Sequence, residues 1–150
     1  MMHHWHIYSD TEQLSQAITD FLVEAITLTL QTQTRCNIAL PGGNTPAPIL
    51  AALATKKLPW EQIHWYLGDE RCYPLNHAER NDTMIRQTLW SQLPVADDHF
   101  HPIPTELGPE QAAQLYSDVI RHSGGMDIVL LGMGEDGHTA SLFPGNQALH

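Results

Sequence analysis

The stretch CNIALPGGNTP, residues 36–46, decides the fold class. Its first five residues form an apolar run with the length of a buried strand, and Pro41-Gly42-Gly43-Asn44 ends that run. Thr45 and Pro46 are then expected to start a helix. Threonine is a good N-cap residue, and proline is tolerated at the first helical position because its missing N–H would have no partner there. The stretch therefore predicts one strand–loop–helix unit.

The same alternation of short apolar runs and helical periodicity continues on both sides of this unit. Further strands are predicted at 5–8, 63–67 and 127–131, and further helices at 11–30, 80–90 and 109–121. Because the later strands are almost wholly apolar, both faces of the sheet should be covered. The sequence thus predicts a single α/β domain over residues 1–150 with a mostly parallel sheet.

Two local expectations accompany this pattern. Asp10 is expected to cap the first helix, whose buried stripe is predicted to be Leu14, Ala17, Ile18, Phe21, Leu22, Ala25 and Ile26. Residues 91–108 are rich in proline and histidine and are predicted to form an irregular surface loop.

Composition narrows the classes of partner. The chain has 150 residues with 17 acidic and 7 basic side chains, which gives a formal net charge of -10. A nucleic-acid-binding protein usually carries a basic stripe, and the sequence has none, so no nucleic-acid partner is expected. An anionic ligand would need a locally positive site built from a few Arg or Lys side chains and backbone N–H groups.

The cellular setting and the metal content are predicted from absences in the sequence. Cys36 and Cys72 form no C-x-x-C pair, the first residues lack the layout of a signal peptide, and no apolar run approaches the ~20 residues of a membrane span. A cytoplasmic protein without a membrane partner is therefore expected. The histidines at 3, 4, 6, 99 and 101 match no metal-ligand spacing, so no metal is expected.

Three polar loops follow three of the predicted strands. We call them the Gly42 loop (PGGNTP, 41–46), the Asp69 loop (GDER, 68–71) and the His138 loop (GMGEDGH, 132–138). In open α/β sheets, ligands bind outside the carboxyl ends of the strands. If the strands are parallel, all three loops converge at one edge of the sheet, and this edge is the predicted binding site.

The Gly42 loop has two interpretations. Glycines allow backbone N–H groups to approach an anion, and the helix that follows adds partial positive charge, so the loop could hold a phosphate. It could equally be a tight strand-to-helix turn that uses glycine for a positive φ. The loop lacks the lysine of a P-loop, which weakens an NTPase interpretation.

The Asp69 loop places three charges, Asp69, Glu70 and Arg71, after an apolar strand, and they are not expected to be fully buried. The planar guanidinium of Arg71 could bind a phosphate, or it could pair with Asp69 in a solvated turn. Cys72 follows Arg71, but no histidine neighbours it in the sequence, so a reactive thiol is not favoured.

The His138 loop matches the G-x-G-x-x-G fingerprint of dinucleotide-binding turns, but its position does not fit one. That fingerprint normally lies in the first strand–helix unit and is followed by an acidic residue about 20 positions later. Here it follows the last predicted strand. What the loop offers instead is His138, which could act as a general base, with Asp136 available to orient the imidazole.

Together, GGNTP, GDER and GMGEDGHTASLFP resemble the 6-phosphogluconolactonase family over essentially the whole chain. The resemblance implies a three-layer α/β/α fold and hydrolysis of 6-phospho-D-glucono-1,5-lactone in the pentose phosphate pathway, without a metal or organic cofactor. It implies His138 as the catalytic base, with Asp136 beside it. The implied substrate-binding residues are Gly42, Gly43, Asn44, Thr45, Asp69, Arg71, Gly134 and Gly137. A monomer or weak homo-oligomer is expected.

Two alternatives stay open at this point. Glucosamine-6-phosphate deaminases share parts of the motifs, but they usually have Tyr where this chain has Arg71, and a catalytic Glu where it has Phe143. Members of the lactonase family continue well beyond the last motif, so the chain is expected to lack their C-terminal portion. A non-catalytic sugar-phosphate-binding fragment is the second alternative.

Overall fold

The structure, a computed structural model, describes residues 3–150. At its centre is a parallel sheet of four strands in the order β3-β2-β1-β4. The strands are β1 (Cys36–Leu40), β2 (Ile63–Leu67), β3 (Phe100–His101) and β4 (Ile128–Val129), and the helices are α1 (Thr11–Leu30), α2 (Pro46–Ala54), α3 (Asn81–Thr88) and α4 (Pro109–Ser123). The predicted α/β class with a parallel sheet is confirmed.

The molecule has three layers because alternate residues of the central strands face opposite sides of the sheet. On one side, Ile38 of β1 and Trp65 of β2 belong to a large apolar core with α1, α2 and α3. On the other side, Ala39 and Tyr66 pack against Tyr116 of α4. Helices therefore cover both faces, and the α/β/α arrangement is confirmed.

Helix α1 has the predicted bounds and the predicted cap. The Asp10 carboxylate accepts a hydrogen bond from the backbone N–H of Gln13 at 2.9 Å. Leu22 and Ile26 are buried, but Phe21 is 64 % exposed, so the predicted stripe is wrong at Phe21. The buried face runs through positions 15, 19, 22 and 26, and residue 21 lies about 100° away from residue 22 on the helix. No helix within residues 3–150 has both the length and the hydrophobicity needed to cross a bilayer.

Helix α2 begins at Pro46, and Thr45 occupies the N-cap position. The threonine does not cap in the expected manner, since its backbone is already helical and its side chain makes no capping hydrogen bond. The prediction of a side-chain cap is therefore wrong, although the position of the helix start is right.

The strand predicted at 5–8 is wrong. These residues form no strand, and Trp5 and Ile7 are 88 % and 91 % exposed. Their residue types favour extended backbone, but a strand also needs a hydrogen-bonded neighbour. None of the four strands of the sheet pairs with them.

Residues 91–108 contain a strand that the sequence does not reveal. Phe100 and His101 form β3 and pair with Trp65 and Tyr66 of β2. Two paired residues are too few to show an alternating pattern, and the same segment also contains short 3-10 turns at Asp97–His99 and Thr105–Leu107. The irregular loop predicted here is thus wrong in part.

Strand β4 is shorter than the predicted 127–131. The backbone N–H of Leu130 still donates to Ala39 O at 2.9 Å. In a parallel ladder the next donor from β1 would be residue 41, which is proline and has no N–H. Pairing therefore stops, and the chain leaves the sheet to form the His138 loop.

The two cysteines differ in their exposure to solvent. Cys36 is buried in β1, Cys72 is exposed, and both are free thiols. Burial raises the pKa of Cys36 to about 11. The expectation of two separate thiols is confirmed.

Candidate active site

The three polar loops meet at the carboxyl end of the sheet around a cavity of about 350 Å³. Most of the predicted site residues line this cavity. They are Gly42, Gly43, Asn44, Thr45, Asp69, Arg71, Gly134 and His138. Asp136 and Gly137 do not line it, but Asp136 is hydrogen-bonded to His138, which does. The predicted convergence of the loops is confirmed, while the roles of the individual residues stay predictions.

His138 and Asp136 form a hydrogen-bonded pair inside their loop. The imidazole Nδ1 lies 2.5 Å from Oδ1 of Asp136, and the backbone N–H of His138 donates to the same oxygen at 3.2 Å. These bonds from His138 lower the pKa of Asp136. Gly137, between the two residues, has a φ of +84°, which a side chain would disfavour. The loop thus turns tightly enough to bring a carboxylate onto the imidazole.

The other faces of the His138 ring are also fixed. Phe143 stacks on the imidazole with ring centroids 4.6 Å apart. A Cβ atom at Gly134 would lie 2.2 Å from Cε1 of His138, so the ring occupies space that only glycine leaves free. The backbone N–H of Gly134 donates to His138 O at 2.8 Å. The imidazole is therefore held by Asp136, Phe143 and the backbone at Gly134.

All six residues of the Gly42 loop line the cavity. Gly43 has a φ of +102°, which explains one glycine by turn geometry alone. At Gly42, glycine is required by packing, because a Cβ atom there would lie 1.7 Å from Oδ1 of Asn81. The N-terminus of α2 starts at the end of this loop, at Pro46, which also lines the cavity.

Arg71 reaches the cavity without a carboxylate partner. One guanidinium nitrogen donates to the backbone oxygen of Glu79 at 3.0 Å, and no ion pair of Arg71 exists within residues 3–150. The alternative of a pair with Asp69 is thus not realised. Asp69 instead accepts from Ser141 Oγ at 2.7 Å and from Asn81 Nδ2 at 3.2 Å. The charge of Arg71 is available to an anion.

Glu70 corrects the expectation that the charges of the Asp69 loop stay accessible. Its side chain has no exposed surface. The carboxylate accepts backbone N–H groups of Arg71, Asn81 and Asp82 at 2.7–2.8 Å and thereby caps the start of α3. Burial raises the pKa of Glu70, and these backbone hydrogen bonds oppose the rise.

Arg80 is the residue that sequence reasoning missed. Its side chain is fully buried and makes two parallel hydrogen bonds of 2.8 and 2.9 Å to the carboxylate of Asp82. It also donates to the backbone oxygen of Tyr73 and to Glu106. The only signal in the sequence is an arginine two residues before an aspartate at a helix start, which is common on surfaces. Arg80 therefore joins the loop after Arg71 to the chain before α4.

The histidines considered as metal ligands lie elsewhere. Within residues 3–150, no three His, Cys, Asp or Glu side chains are grouped so that they could hold a metal ion. His99 and His101 instead form a stacked cluster with His64, in which His64 Nδ1 lies 3.1 Å from His101 Nε2. Burial lowers the pKa of His101 to about 4 and also lowers that of His64.

The chain is similar to known proteins over most of its length. Residues 9–150 match the family described as glucosamine-6-phosphate isomerases/6-phosphogluconolactonase. A 6-phosphogluconolactonase of Synechocystis is 45 % identical over 121 residues, which cover 75 % of this chain and 50 % of the relative. One from Nostoc is 34 % identical over 152 residues, covering 95 % and 63 %.

Solved structures give the same result. The crystal structure of 6-phosphogluconolactonase from Thermotoga maritima superposes with a TM-score of 0.82 at 32 % identity, covering 85 % of this chain and 59 % of that one. The enzyme from Trypanosoma brucei gives a TM-score of 0.84 at 30 % identity, covering 95 % and 64 %. The chain thus spans about half to two thirds of the length of the relatives it matches.

Proposed function

The chain belongs to the family of glucosamine-6-phosphate isomerases and 6-phosphogluconolactonases, and we propose that the protein containing it hydrolyses 6-phospho-D-glucono-1,5-lactone to 6-phospho-D-gluconate. The observation that carries this proposal is the His138–Asp136 pair, which opens onto the cavity that Arg71 also lines. The site thus combines a general base with a cation that has no carboxylate partner in the described residues.

In the proposed reaction, His138 activates the attacking water. The carboxylate of Asp136 accepts a hydrogen bond from Nδ1–H of His138, which leaves the lone pair on Nε2 free to take a proton from water as the water attacks the C1 carbonyl. The protonated imidazole then donates to the ring oxygen as the lactone opens. Backbone N–H groups of the glycine-containing loops are available to stabilise the oxyanion.

The phosphate is proposed to bind at the other end of the cavity. The Arg71 guanidinium supplies charge, and the Gly42 loop and the N-terminus of α2 supply backbone N–H groups and partial positive charge. Asn44 and Thr45 line the same cavity, and the Thr45 hydroxyl makes no capping hydrogen bond to α2. Asp69 repels phosphate and is better suited to accept hydrogen bonds from sugar hydroxyls.

Phe143 favours lactone hydrolysis over deamination. The resemblance implies that a deaminase would carry its catalytic glutamate at this position, and here a phenyl ring stacks on His138 instead. A phenyl ring transfers no proton, so Phe143 cannot perform the acid–base work of that glutamate. Consistent with this, the relatives compared above carry the lactonase name.

The remaining parts of the proposal concern the setting. We propose a cytoplasmic protein that acts on a small sugar-phosphate lactone without a metal or organic cofactor, as a monomer or weak homo-oligomer. The net charge of -10 argues against a nucleic-acid partner.

A turnover assay tests the function. The protein, expressed as its gene encodes it, is mixed with freshly generated lactone, and the formation of 6-phosphogluconate is followed against the uncatalysed rate. Acceleration that disappears in His138→Ala supports the proposal. Release of ammonia from glucosamine 6-phosphate would support the deaminase instead, and binding of 6-phosphogluconate without turnover would support a non-catalytic binding protein.

A further inference from the structure

Asn81 contacts two of the three loops of the site directly, and through Asp69 it is linked to Ser141, which follows the third. It is the first residue of α3, is 3 % exposed, and lines the cavity. Its Nδ2 group donates to the backbone oxygen of Asp69 at 2.9 Å and to Oδ1 of Asp69 at 3.2 Å. Ser141, just beyond the His138 loop, holds the other oxygen of Asp69 at 2.7 Å.

The contact of Asn81 with the Gly42 loop is steric. A Cβ atom at Gly42 would lie 1.7 Å from Oδ1, 2.2 Å from Cγ and 2.7 Å from Nδ2 of Asn81. The carboxamide therefore occupies the place of the missing side chain at Gly42. The φ of Gly42 is not in the left-handed region, so its backbone conformation is open to alanine, and the three atoms nearest to an added Cβ all belong to Asn81.

We infer that Asn81 is a positioning residue that sets the distance between the Gly42 loop and Asp69, and so the width of the substrate cavity. Its carboxamide fills a fixed space against Gly42 while its two N–H groups hold Asp69. This inference rests on the proposed lactonase function, which assigns the lactone to this cavity. Asn81 itself transfers no proton in the reaction.

If Asn81 has this role, substitutions at Gly42 and at Asn81 should act through the same contact. A methyl group at Gly42 must push the carboxamide off Asp69, so Gly42→Ala and Asn81→Ala remove the same hydrogen bonds. Each is expected to raise KM about tenfold, as for the loss of a hydrogen bond to a charged group, with a smaller effect on kcat. The double variant should also show about tenfold, whereas independent effects would multiply to about a hundredfold.

Two variants serve as controls. Gly68→Ala adds the same methyl group at the same edge of the sheet, where the nearest atom is Leu40 O at 3.7 Å, so it should lower the melting temperature much less than Gly42→Ala does. Asn81→Asp keeps the size of the side chain but cannot donate to Asp69. It should raise KM without making room for alanine at position 42, so the loss of melting temperature caused by Gly42→Ala should persist in that background, although the two KM effects should not add.

The experiment measures KM, kcat and the melting temperature for the four members of this cycle in the protein as its gene encodes it. Non-additive KM values, together with a melting temperature of Gly68→Ala close to that of the wild type, support the inference, and KM effects that multiply overturn it. If Asn81→Ala does not fold, Asn81→Ser completes the same cycle. If the wild type does not hydrolyse the lactone, the proposed function fails.

In that case the cycle is still decided without turnover. The loss of melting temperature caused by Gly42→Ala should vanish in the Asn81→Ala background, because the methyl group then has space. The affinity for 6-phosphogluconate, measured by calorimetry, should follow the same pattern where it binds. Melting temperatures that fall additively would overturn the inference whatever the reaction is.

Discussion

The Nδ1 atom of His138 lies 2.5 Å from Oδ1 of Asp136, in a loop whose intervening residue is a glycine at positive φ. This pair predicts a distinct response to two substitutions. His138→Ala should lower kcat on the lactone by about 10²–10⁴-fold, the usual contribution of a general base. Asp136→Asn should lower kcat less and leave KM nearly unchanged, because an amide no longer selects the Nδ1–H tautomer. Steady-state kinetics on fresh lactone give both values, and wild-type kcat in His138→Ala would eliminate this base.

Gly134→Ala is expected to displace the His138 ring while leaving the histidine itself unchanged. The added Cβ would stand 2.2 Å from the imidazole Cε1, so the ring must move. A displacement of about 1 Å at a reacting group can cost about 10²-fold in rate, and we expect a loss of that order in kcat. At Gly132, by contrast, a Cβ would meet no atom within 4 Å, so Gly132→Ala should cost much less. Equal losses in the two variants would contradict the steric explanation.

Arg71→Ala is expected to raise KM more than it lowers kcat. Phosphate binding is largely the same in the ground state and the transition state, and a lost charge-assisted contact corresponds to about 10–100-fold. Arg71→Lys should recover only part of this, because an ammonium group lacks the planar fork. Arg121, on the exposed surface of α4 and paired with Asp118, provides the matched control. An unchanged KM in Arg71→Ala would assign the arginine to loop structure alone.

Arg80→Ala is expected to destabilise the fold by about 3–5 kcal/mol. The substitution leaves the buried carboxylates of Asp82 and Glu70 without their cation, and that is the range for breaking a buried ion pair from one side. Arg86→Ala removes an exposed pair with Asp97 instead and should cost about 1 kcal/mol or less. Chemical denaturation of the two variants makes the comparison. Similar midpoints for both would show that the Arg80 network contributes little to stability.

The histidine cluster predicts a loss of stability in mild acid. The folded pKa of His101 is about 4, below its ordinary value of 6.5, because the ring is half-buried against His64. Above pH 6.5 both the folded and unfolded states hold a neutral ring. Between pH 6.5 and 4 only the unfolded state takes up the proton, so the free energy of unfolding falls as the pH falls.

Melting temperatures between pH 8 and 4.5 test this expectation. His101→Phe keeps a ring to stack on Tyr66 but cannot titrate, so its melting temperature should fall less than that of the wild type. The other charged or titratable groups around His101 are His64, His99, Arg35 and Asp98. His64→Phe should act in the same direction. Parallel pH profiles for wild type and His101→Phe would show that His101 is not responsible.

The position of the site could be predicted from the sequence because it follows from topology. Parallel strands place their carboxyl ends at one edge, so the three loops had to meet once the strands were identified. The contact between Asp136 and His138 was predicted only as a possibility, because i,i+2 spacing in a loop does not fix the geometry of the two side chains. The position of the site depends on local sequence and on strand direction alone.

What the sequence could not show depends on contacts between distant segments. The burial of Arg80 requires the backbone of Tyr73 and the side chain of Glu106 to surround it, and no local pattern records that. The packing of Asn81 against Gly42 joins residues 39 positions apart in the sequence. It is recognised only when a Cβ atom is placed at Gly42 in the folded structure. Strand β3 is defined by two hydrogen-bonded residues, whereas residues 5–8 have a strand-like composition and no neighbour.

The glycines at 42 and 134 have an evolutionary consequence. A Gly-to-Ala change takes a single nucleotide, and at either position it would displace a functional side chain while leaving every polar group of the site in the sequence. Under the proposed function, a descendant protein could lose the reaction through one added methyl group and still carry all three loop motifs.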